Sequence, residues 1–134
     1  MKSKTALSAV PNESLFGKYL TVDDVEKVTG LKGISRKEVA LTLEFYNGNE
    51  KILEARFDSP NFFKYEVEKN QTYYVEVPGI GERAGLAIPG TPYRLTFLQG
   101  KFCVMLQTPL EGGKTLLSID QLIAIGKILV ERLQ

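Results

Sequence analysis

The fold class is decided by the stretch Gly79-Ile80-Gly81-Glu82-Arg83-Ala84, which follows the apolar run 73–77. Its spacing fits the loose dinucleotide-binding pattern G-x-G-x-x-G/A. That pattern works only where a helix begins at the glycines and aims its N-terminal amides at a pyrophosphate. Here two glycines and two prolines follow within residues 85–92, which excludes a continuous helix of useful length. The stretch therefore indicates a glycine turn that leads into antiparallel strands.

The segments that follow predict a β-hairpin around Gly100-Lys101. Residues 93–99 and 102–108 are rich in apolar and β-branched residues, and a glycine in the first turn position suits a type II′ turn. A two-residue loop sets the cross-strand pairs Leu95–Leu106 and Phe97–Val104 on one face, and Leu98–Cys103 and Thr96–Met105 on the other. Because both faces carry apolar residues, we expect this end of the sheet to be covered on both sides.

A C-terminal helix is predicted from Ser118 onwards. Ser118-Ile119-Asp120-Gln121 is a capping box, and the helix is expected to run to about Leu133. A helical wheel places these residues on one apolar face: Ile119, Leu122, Ile123, Gly126, Leu129, Val130 and Leu133. Ile128 is the exception, since it stands in the polar arc one turn from Ala124. We expect the N-terminal arm to cover this narrow strip rather than a second copy of the chain.

Upstream, Thr21 and the acidic residues Asp23 and Asp24 signal the start of a short helix over about 22–29. Gly30 is placed to end it.

A hairpin is predicted around Asn47-Gly48-Asn49. A three-residue loop puts the alternating apolar residues of its strands on one face and requires a left-handed Asn49. The expected pairs are Leu43–Leu53, Leu41–Ala55 and Val39–Phe57.

Residues 60–69 fit two structures. Ser59 as a cap and Pro60 in the first turn favour a helix, whereas Phe63, Tyr65 and Val67 alternate with charged residues as in a strand. We favour the helix, because the capping signal is specific and the alternating run is short.

Composition narrows the classes of function. The 134 residues carry a net charge of +1, so no basic surplus favours nucleic acid. No apolar window is long enough for a transmembrane segment. The sequence has no histidine and one cysteine, Cys103, which rules out a Ser-His-Asp or Cys-His arrangement and an ordinary zinc site.

Two further motifs have ordinary explanations. Gly112-Gly113-Lys114-Thr115 ends like a phosphate-binding loop, but Thr108 stands where the first glycine of that motif is required. Glu44 and Glu54 are expected on one sheet face near Arg56, and a carboxylate-dependent hydrolase is the enzymatic alternative. A solvated face of opposite charges explains the same residues more simply.

Three segments resemble the C-terminal half of small bacterial extracytoplasmic lipoprotein domains: Val77–Ala84, Leu95–Leu106 and Leu122–Leu133. Those domains typically show a V-x-G-[ILV]-G-[DE]-x-A segment, a hairpin that turns at a glycine, and a terminal amphipathic helix ending near R-L. The resemblance implies an α+β domain tethered outside the cytoplasmic membrane, mostly of unknown function and without known catalytic residues. An extracytoplasmic location, membrane-tethered in the full-length protein, is accordingly favoured over a cytoplasmic one. A segment at 20–25 is also similar to glyoxalase-like modules, but their metal ligands have no counterpart here.

We therefore expect an extended N-terminal arm over 1–18 and a single α+β domain over 19–134. The domain should contain a mainly antiparallel sheet of five or six strands, with the C-terminal helix on one face and shorter helices beside it. We expect a non-catalytic binding or interaction domain, with a purely structural subunit as a further alternative. No catalytic residue, metal or cofactor is expected. The partner is an unknown protein or a small apolar ligand, and the chain a monomer or weak homodimer. The expected binding surface comprises Phe62, Phe63, Tyr73, Tyr74, Gly79 and Gly81, since aromatic residues anchor interfaces.

Overall fold

The computed structural model describes residues 15–87 and 93–134. Its helices are α1 (Val22–Thr29), α2 (Asn61–Glu66) and α3 (Ile119–Arg132), with a 3₁₀ helix at Glu68–Tyr73. Its strands are β1 (Ile34–Val39), β2 (Thr42–Asn47), β3 (Glu50–Asp58), β4 (Tyr74–Glu76), β5 (Arg83–Ala87), β6 (Arg94–Gln99), β7 (Phe102–Gln107), β8 (Leu110–Glu111) and β9 (Lys114–Thr115). The first seven strands form one antiparallel sheet, which confirms the α+β class with more strands than expected.

The sheet consists of two meanders that meet along one seam. Its order is β1-β2-β3-β7-β6-β5-β4, so strands 1–3 and strands 4–7 each follow one another in space as they do in sequence. The seam is the antiparallel pairing of β3 with β7, where Ala55 lies opposite Leu106. Helix α3 covers what we call the front face, where Gly126 packs on Leu95. Helix α2 and the 3₁₀ helix cover part of the opposite, back face.

The hairpin of β6 and β7 has the register predicted from the sequence. All four expected pairs are observed: Leu95–Leu106, Phe97–Val104, Leu98–Cys103 and Thr96–Met105. The first two pairs belong to the main core on the front face, and Cys103 belongs to a smaller apolar cluster on the back face. Both faces are covered, as the composition of these strands indicated.

The register predicted for β2 and β3 is wrong. Leu43 lies opposite Ala55, and Leu53 lies opposite Phe45. The strands reverse through a two-residue turn, in which Gly48, not Asn49, takes the positive φ of 65°. Beyond the turn the register shifts by one residue, which leaves an extra residue in β3. This bulge returns the apolar side chains of both strands to the front face.

The two other pairs expected in this hairpin are also wrong, because Ala55 lies opposite Leu43 and because the chain has a further turn that the sequence did not predict. It reverses at Ala40-Leu41, so that Val39 lies opposite Thr42. Ala40 adopts a φ of 54° and is the one non-glycine residue with positive φ in the described part of the chain. Val39 and Leu41 therefore stand at an exposed hairpin tip, with 44% and 42% of their surfaces accessible. Alanine and leucine carry no turn signal, and the alternation of apolar residues runs unbroken through them.

The predicted boundaries of α1 are confirmed by its caps. Thr21 and Asp24 bond reciprocally to each other's backbone amides, which is a capping box, and Gly30 ends the helix with a φ of 78°. Val25 is fully buried, and the valines at 22 and 28 pack at the margin of the core.

Helix α3 also has its predicted capping box, between Ser118 and Gln121. Most of the predicted apolar face packs on the core, since Leu122, Gly126 and Leu129 are buried. The exceptions are Ile119, which is 36% exposed, and Ile125, which is buried although it was not predicted to be. Ile128 is half-buried and packs against the core, so its assignment to a polar face is wrong. The reason is that α1 lies beside α3 and extends the core to that side.

An ion pair joins the two front-face helices. Arg132 near the end of α3 binds Asp24 in α1, with 2.9 Å between Arg132 Nη2 and Asp24 Oδ1. Burial alone would raise the pKa of Asp24, but the hydrogen bonds from Arg132 and Thr21 outweigh it and hold the pKa below its ordinary value. Asp24 thus serves as a helix cap and as the tie between α1 and α3.

Residues 60–69 are helical, as favoured, but in two pieces. Helix α2 is followed at Glu68 by the 3₁₀ helix, and Ser59 makes no side-chain cap; only its backbone oxygen accepts a bond, from Phe62. Val67 packs on Gly85 of β5, where a Cβ atom would lie 2.8 Å from Val67 Cγ1. Because Gly85 has no side chain, the segment formed by α2 and the 3₁₀ helix, which we call the connector, lies close against the back face.

Of the predicted arm, residues 1–14 lie outside the described residues. Phe16 is buried, and its ring stacks on Phe57 with 4.6 Å between the centroids. The Arg36 side chain of β1 donates hydrogen bonds to the backbone oxygens of Gly17 and Leu20 and so holds the turns that follow Phe16. None of the helices in the described ranges is long and apolar enough to cross a membrane.

Candidate functional site

The four predicted aromatic residues lie on the back face, at α2, the 3₁₀ helix and the start of β4. Phe63 is buried in the smaller apolar cluster, and Phe62 is half-buried with the Arg56 guanidinium 5.2 Å from its ring centroid. Tyr73 is 58% exposed, whereas Tyr74 is buried. The two phenylalanines are therefore packing residues, and the two tyrosines are the ones that reach a cavity.

That cavity, which we call the tyrosine pocket, has a volume of about 370 Å³. The connector supplies Glu66, Asn70 and Tyr73. The other lining residues are Tyr74 and Ala87, which pair across β4 and β5, and Tyr93 and Arg94 at the start of β6. The size falls within the range of small-molecule sites.

A polar network forms one wall of the tyrosine pocket. Arg94 Nη1 lies 2.6 Å from Glu66 Oε2, and Arg94 Nε donates to Gln107 Oε1 at 3.1 Å. Tyr74 donates its hydroxyl to the same Glu66 oxygen. Burial, together with this bond to a carboxylate, raises the pKa of Tyr74 to about 12, so the phenol stays protonated at neutral pH. The wall is thus an ordered set of paired charges and hydroxyls.

Asn70 is a further polar residue that lines the pocket. Its side-chain Nδ2 donates to the backbone oxygens of Tyr65 and Glu66, which are otherwise open at the end of α2. Its own backbone leaves the helical region, with φ −126° and ψ 42°. This break lies within the 3₁₀ helix, after which Tyr73 and Tyr74 line the cavity.

A second cavity of about 310 Å³ adjoins Tyr74 on another side. It is lined by Val67, Gln71 and a charged group in which Arg83 binds both Glu68 and Glu76. Among its lining residues, Tyr74 is the aromatic one, and the carboxylates outnumber the cation.

Gly79 and Gly81 belong to the turn between β4 and β5 and do not line the tyrosine pocket. A Cβ atom on Gly81 would lie 2.3 Å from the backbone oxygen of Leu98, whereas nothing lies within 4 Å of the same position on Gly79. Ile80 between them is buried in the main core. The turn is therefore held by packing against β6, and both glycines have a conformational reason to be there.

Glu44 and Glu54 lie opposite each other on the uncovered part of the back face. Lys51 bridges them, with its Nζ 2.7 Å from Glu54 Oε1 and 3.4 Å from Glu44 Oε2. Burial alone would raise the pKa of Glu44, but the Tyr46 hydroxyl and Lys51 outweigh it and hold the pKa below its ordinary value. A general acid in glycoside hydrolysis needs a raised pKa, so Glu44 is not suited to that role.

Sequence reasoning missed Glu66, Asn70, Tyr93 and Arg94. Glu66 and Arg94 are 28 residues apart, and only the docking of α2 on β6 brings them together. The available signal was Tyr93-Arg94 at the start of a strong strand, at the end opposite its glycine turn.

Cys103 is buried. Its burial, with the charges of Asp58 and Glu66, raises the pKa of the thiol to about 12, so this cysteine is not a nucleophile at neutral pH.

Comparison of the chain with protein-family models, with curated proteins and with solved structures found no match in any of the three.

Proposed function

We propose that this protein is a non-catalytic binding domain whose ligand occupies the tyrosine pocket. The observation that carries the proposal is the pocket's construction: three tyrosines surround a paired Glu66 and Arg94 in a cavity of about 370 Å³. A few placed polar groups among aromatic walls are typical of small-molecule sites.

The two alternatives have less support. A hydrolase that used Glu44 and Glu54 would need the two carboxyl groups in a cleft, and Lys51 instead ties both into an open sheet face. A purely structural subunit would need a continuous apolar patch. In the described part of the chain, the large exposed apolar residues are spread over the N-terminal segment, the β1–β2 tip, α2, the 3₁₀ helix, β4, β8 and the start of α3.

The resemblance to extracytoplasmic lipoprotein domains adds a location to this proposal. Outside the cytoplasmic membrane, such a domain would take up a ligand present in the cell envelope. Fractionation of the full-length protein in its own cells tests this part separately; recovery in the cytoplasmic fraction would refute it.

The binding proposal is tested by amide chemical-shift mapping on ¹⁵N-labelled protein. The probes are neutral methyl glycosides, N-acetyl amino-acid amides and short carboxylic acids, each at millimolar concentration. We expect at least one class to shift the amides of Asn70, Tyr74 and Arg94, and to do so less in Tyr73→Ala. Tyr65→Ala is the matched control, because Tyr65 is 60% exposed, like Tyr73, but does not line the pocket.

Two results would refute the proposal. One is that no probe class shifts the pocket amides. The other is that Tyr65→Ala weakens binding as much as Tyr73→Ala, which would place the ligand on the outer surface of the connector.

A further inference from the structure

The charge of the tyrosine pocket restricts what it can bind. Among the described residues that line it, Glu66 is the only acidic one and Arg94 the only basic one, and Arg94 Nη1 lies 2.6 Å from Glu66 Oε2. Their side chains are 21% and 23% exposed, so the pair is largely withdrawn from water. A charged ligand would have to compete with one member for the other and leave a partly buried charge unpaired, which is costly. The pocket therefore favours a neutral ligand.

The polar groups of the pocket favour a ligand rich in hydroxyls. Glu66 Oε2 accepts two hydrogen bonds, from Tyr74 and Arg94, while the structure assigns none to Glu66 Oε1 among the described residues. Asn70 donates through Nδ2, and its side-chain oxygen has no donor among the described residues, so it is available as an acceptor. Arg94, whose Nη1 binds Glu66 Oε2 at 2.6 Å, adds N–H donors to the same pocket. A hydroxyl group both donates and accepts, so neighbouring hydroxyls match such an alternating surface.

The aromatic groups favour a ring with one apolar face. Tyr73 is 58% exposed at the pocket rim, and its ring is open to a ligand. The ring of Tyr93 already has the Arg94 guanidinium 5.2 Å from its centroid. Tyrosine combines an apolar ring with a polar hydroxyl, which suits a ligand that has both kinds of surface. A wholly apolar ligand would bury the polar wall without satisfying it.

We propose that the tyrosine pocket binds a neutral sugar ring, whose C–H face packs on Tyr73 and whose neighbouring hydroxyls bond with Glu66, Asn70 and Arg94. This inference rests on the proposed binding function and names its ligand class. The volume of about 370 Å³ suits one ring of a glycan, with the remainder of the chain outside the pocket.

The test compares neutral and charged rings of the same shape. The probes are the methyl glycosides of glucose, galactose and mannose, with glucosamine as a cation and glucuronate as an anion. Binding is followed by amide shifts of residues around the pocket. At least one neutral glycoside should bind with millimolar affinity, and about tenfold more tightly than either charged ring. Tyr73→Ala should weaken it about fivefold, whereas Tyr65→Ala should leave it unchanged.

A charge exchange gives a readout that general loss of structure cannot produce. Glu66→Gln keeps the shape of the side chain and leaves Arg94 without its carboxylate, so this variant should gain affinity for glucuronate. Arg94→Gln leaves Glu66 unpaired and should gain affinity for glucosamine. A gain in binding shows that the variant is folded and that the ligand lies beside the exchanged group.

Several results would overturn the sugar assignment. One is that amino-acid amides or carboxylic acids shift the pocket amides while no glycoside does; the binding function would then stand and its ligand class would be wrong. Another is that glycosides bind but neither charge exchange alters the preference between the charged rings, which would place the sugar elsewhere. If no probe class binds, the binding function itself fails.

Discussion

Replacing Gly81 by alanine tests how the turn between β4 and β5 is held. Both Gly79 and Gly81 have positive φ, 84° and 61°, so alanine at either position enters the left-handed region. That costs about 1–2 kcal/mol, and the stiffer unfolded chain returns about 0.4–1 kcal/mol. For Gly79→Ala this leaves a loss of about 1 kcal/mol, because nothing lies within 4 Å of its Cβ position.

Gly81→Ala carries an additional steric cost. Its Cβ atom would lie 2.3 Å from the Leu98 carbonyl oxygen, which already accepts a hydrogen bond of 2.8 Å from Glu82. Relief requires the turn to move away from β6, which lengthens that bond and disturbs the burial of Ile80. A strained or lost hydrogen bond with some lost packing adds about 2 kcal/mol, for a total of about 3 kcal/mol.

Thermal unfolding followed by circular dichroism measures both variants against the unaltered protein. At about 4 °C per kcal/mol for a domain of this size, Gly79→Ala should lower the Tm by about 4 °C and Gly81→Ala by about 12 °C. Urea unfolding should reproduce the order of the free energies of unfolding. If the Tm shifts of the two variants agree within about 2 °C, the close contact between residue 81 and Leu98 is refuted. The backbone conformation would then be the only reason for glycine at that position.

Three further predictions concern the core and its charges. Asp24→Asn should lower the free energy of unfolding by about 1–2 kcal/mol at pH 7. Because folding lowers the pKa of Asp24, its contribution to stability is complete above the unfolded value of about 3.9 and is lost as the pH falls further. Urea titrations at pH 7 and pH 3 should therefore show that the variant loses less free energy of unfolding in acid than the unaltered protein does. Equal losses would contradict this. Phe16→Ala should cost about 3 kcal/mol, whereas Leu15→Ala, at a residue that is 69% exposed, should change the Tm little; a small effect at Phe16 would show that the stacked ring adds nothing to the core. Cys103 should react with a thiol reagent at pH 8 only as fast as the protein opens, and rapid labelling of the folded protein would disprove its burial.

The elements that could be predicted from the sequence are those whose signals are local. The caps at Thr21 and Ser118 involve residues three positions apart, and the hairpin at Gly100 depends on a two-residue turn, so short segments decide all three. The β2–β3 register could not be predicted, because the bulge and the turn at Ala40 are set by which side chains the front face buries. Near the bulge, only the consecutive apolar residues Ile52 and Leu53 interrupt the alternation, and Ala40-Leu41 contains no residue typical of a turn.

The candidate site divides in the same way. Tyr73 and Tyr74 stand out as neighbouring aromatic residues next to irregular backbone, and the structure places both at the pocket. Glu66 and Arg94 are ordinary charged residues in sequence, and they become a paired group only because α2 packs against the back face. Their recognition requires the topology, which a single sequence specifies only weakly.

The single seam between the two meanders sets an order in which the sheet can assemble. Most neighbouring strands within a meander are joined by short turns, so their contacts close short loops. In contrast, β3 and β7 meet only across the whole connector and three strands. Loop closure becomes less favourable with length, so the meanders should form early and the seam late. The residues that line the tyrosine pocket lie in the connector and in the second meander, so the pocket can form with that meander, before the seam closes.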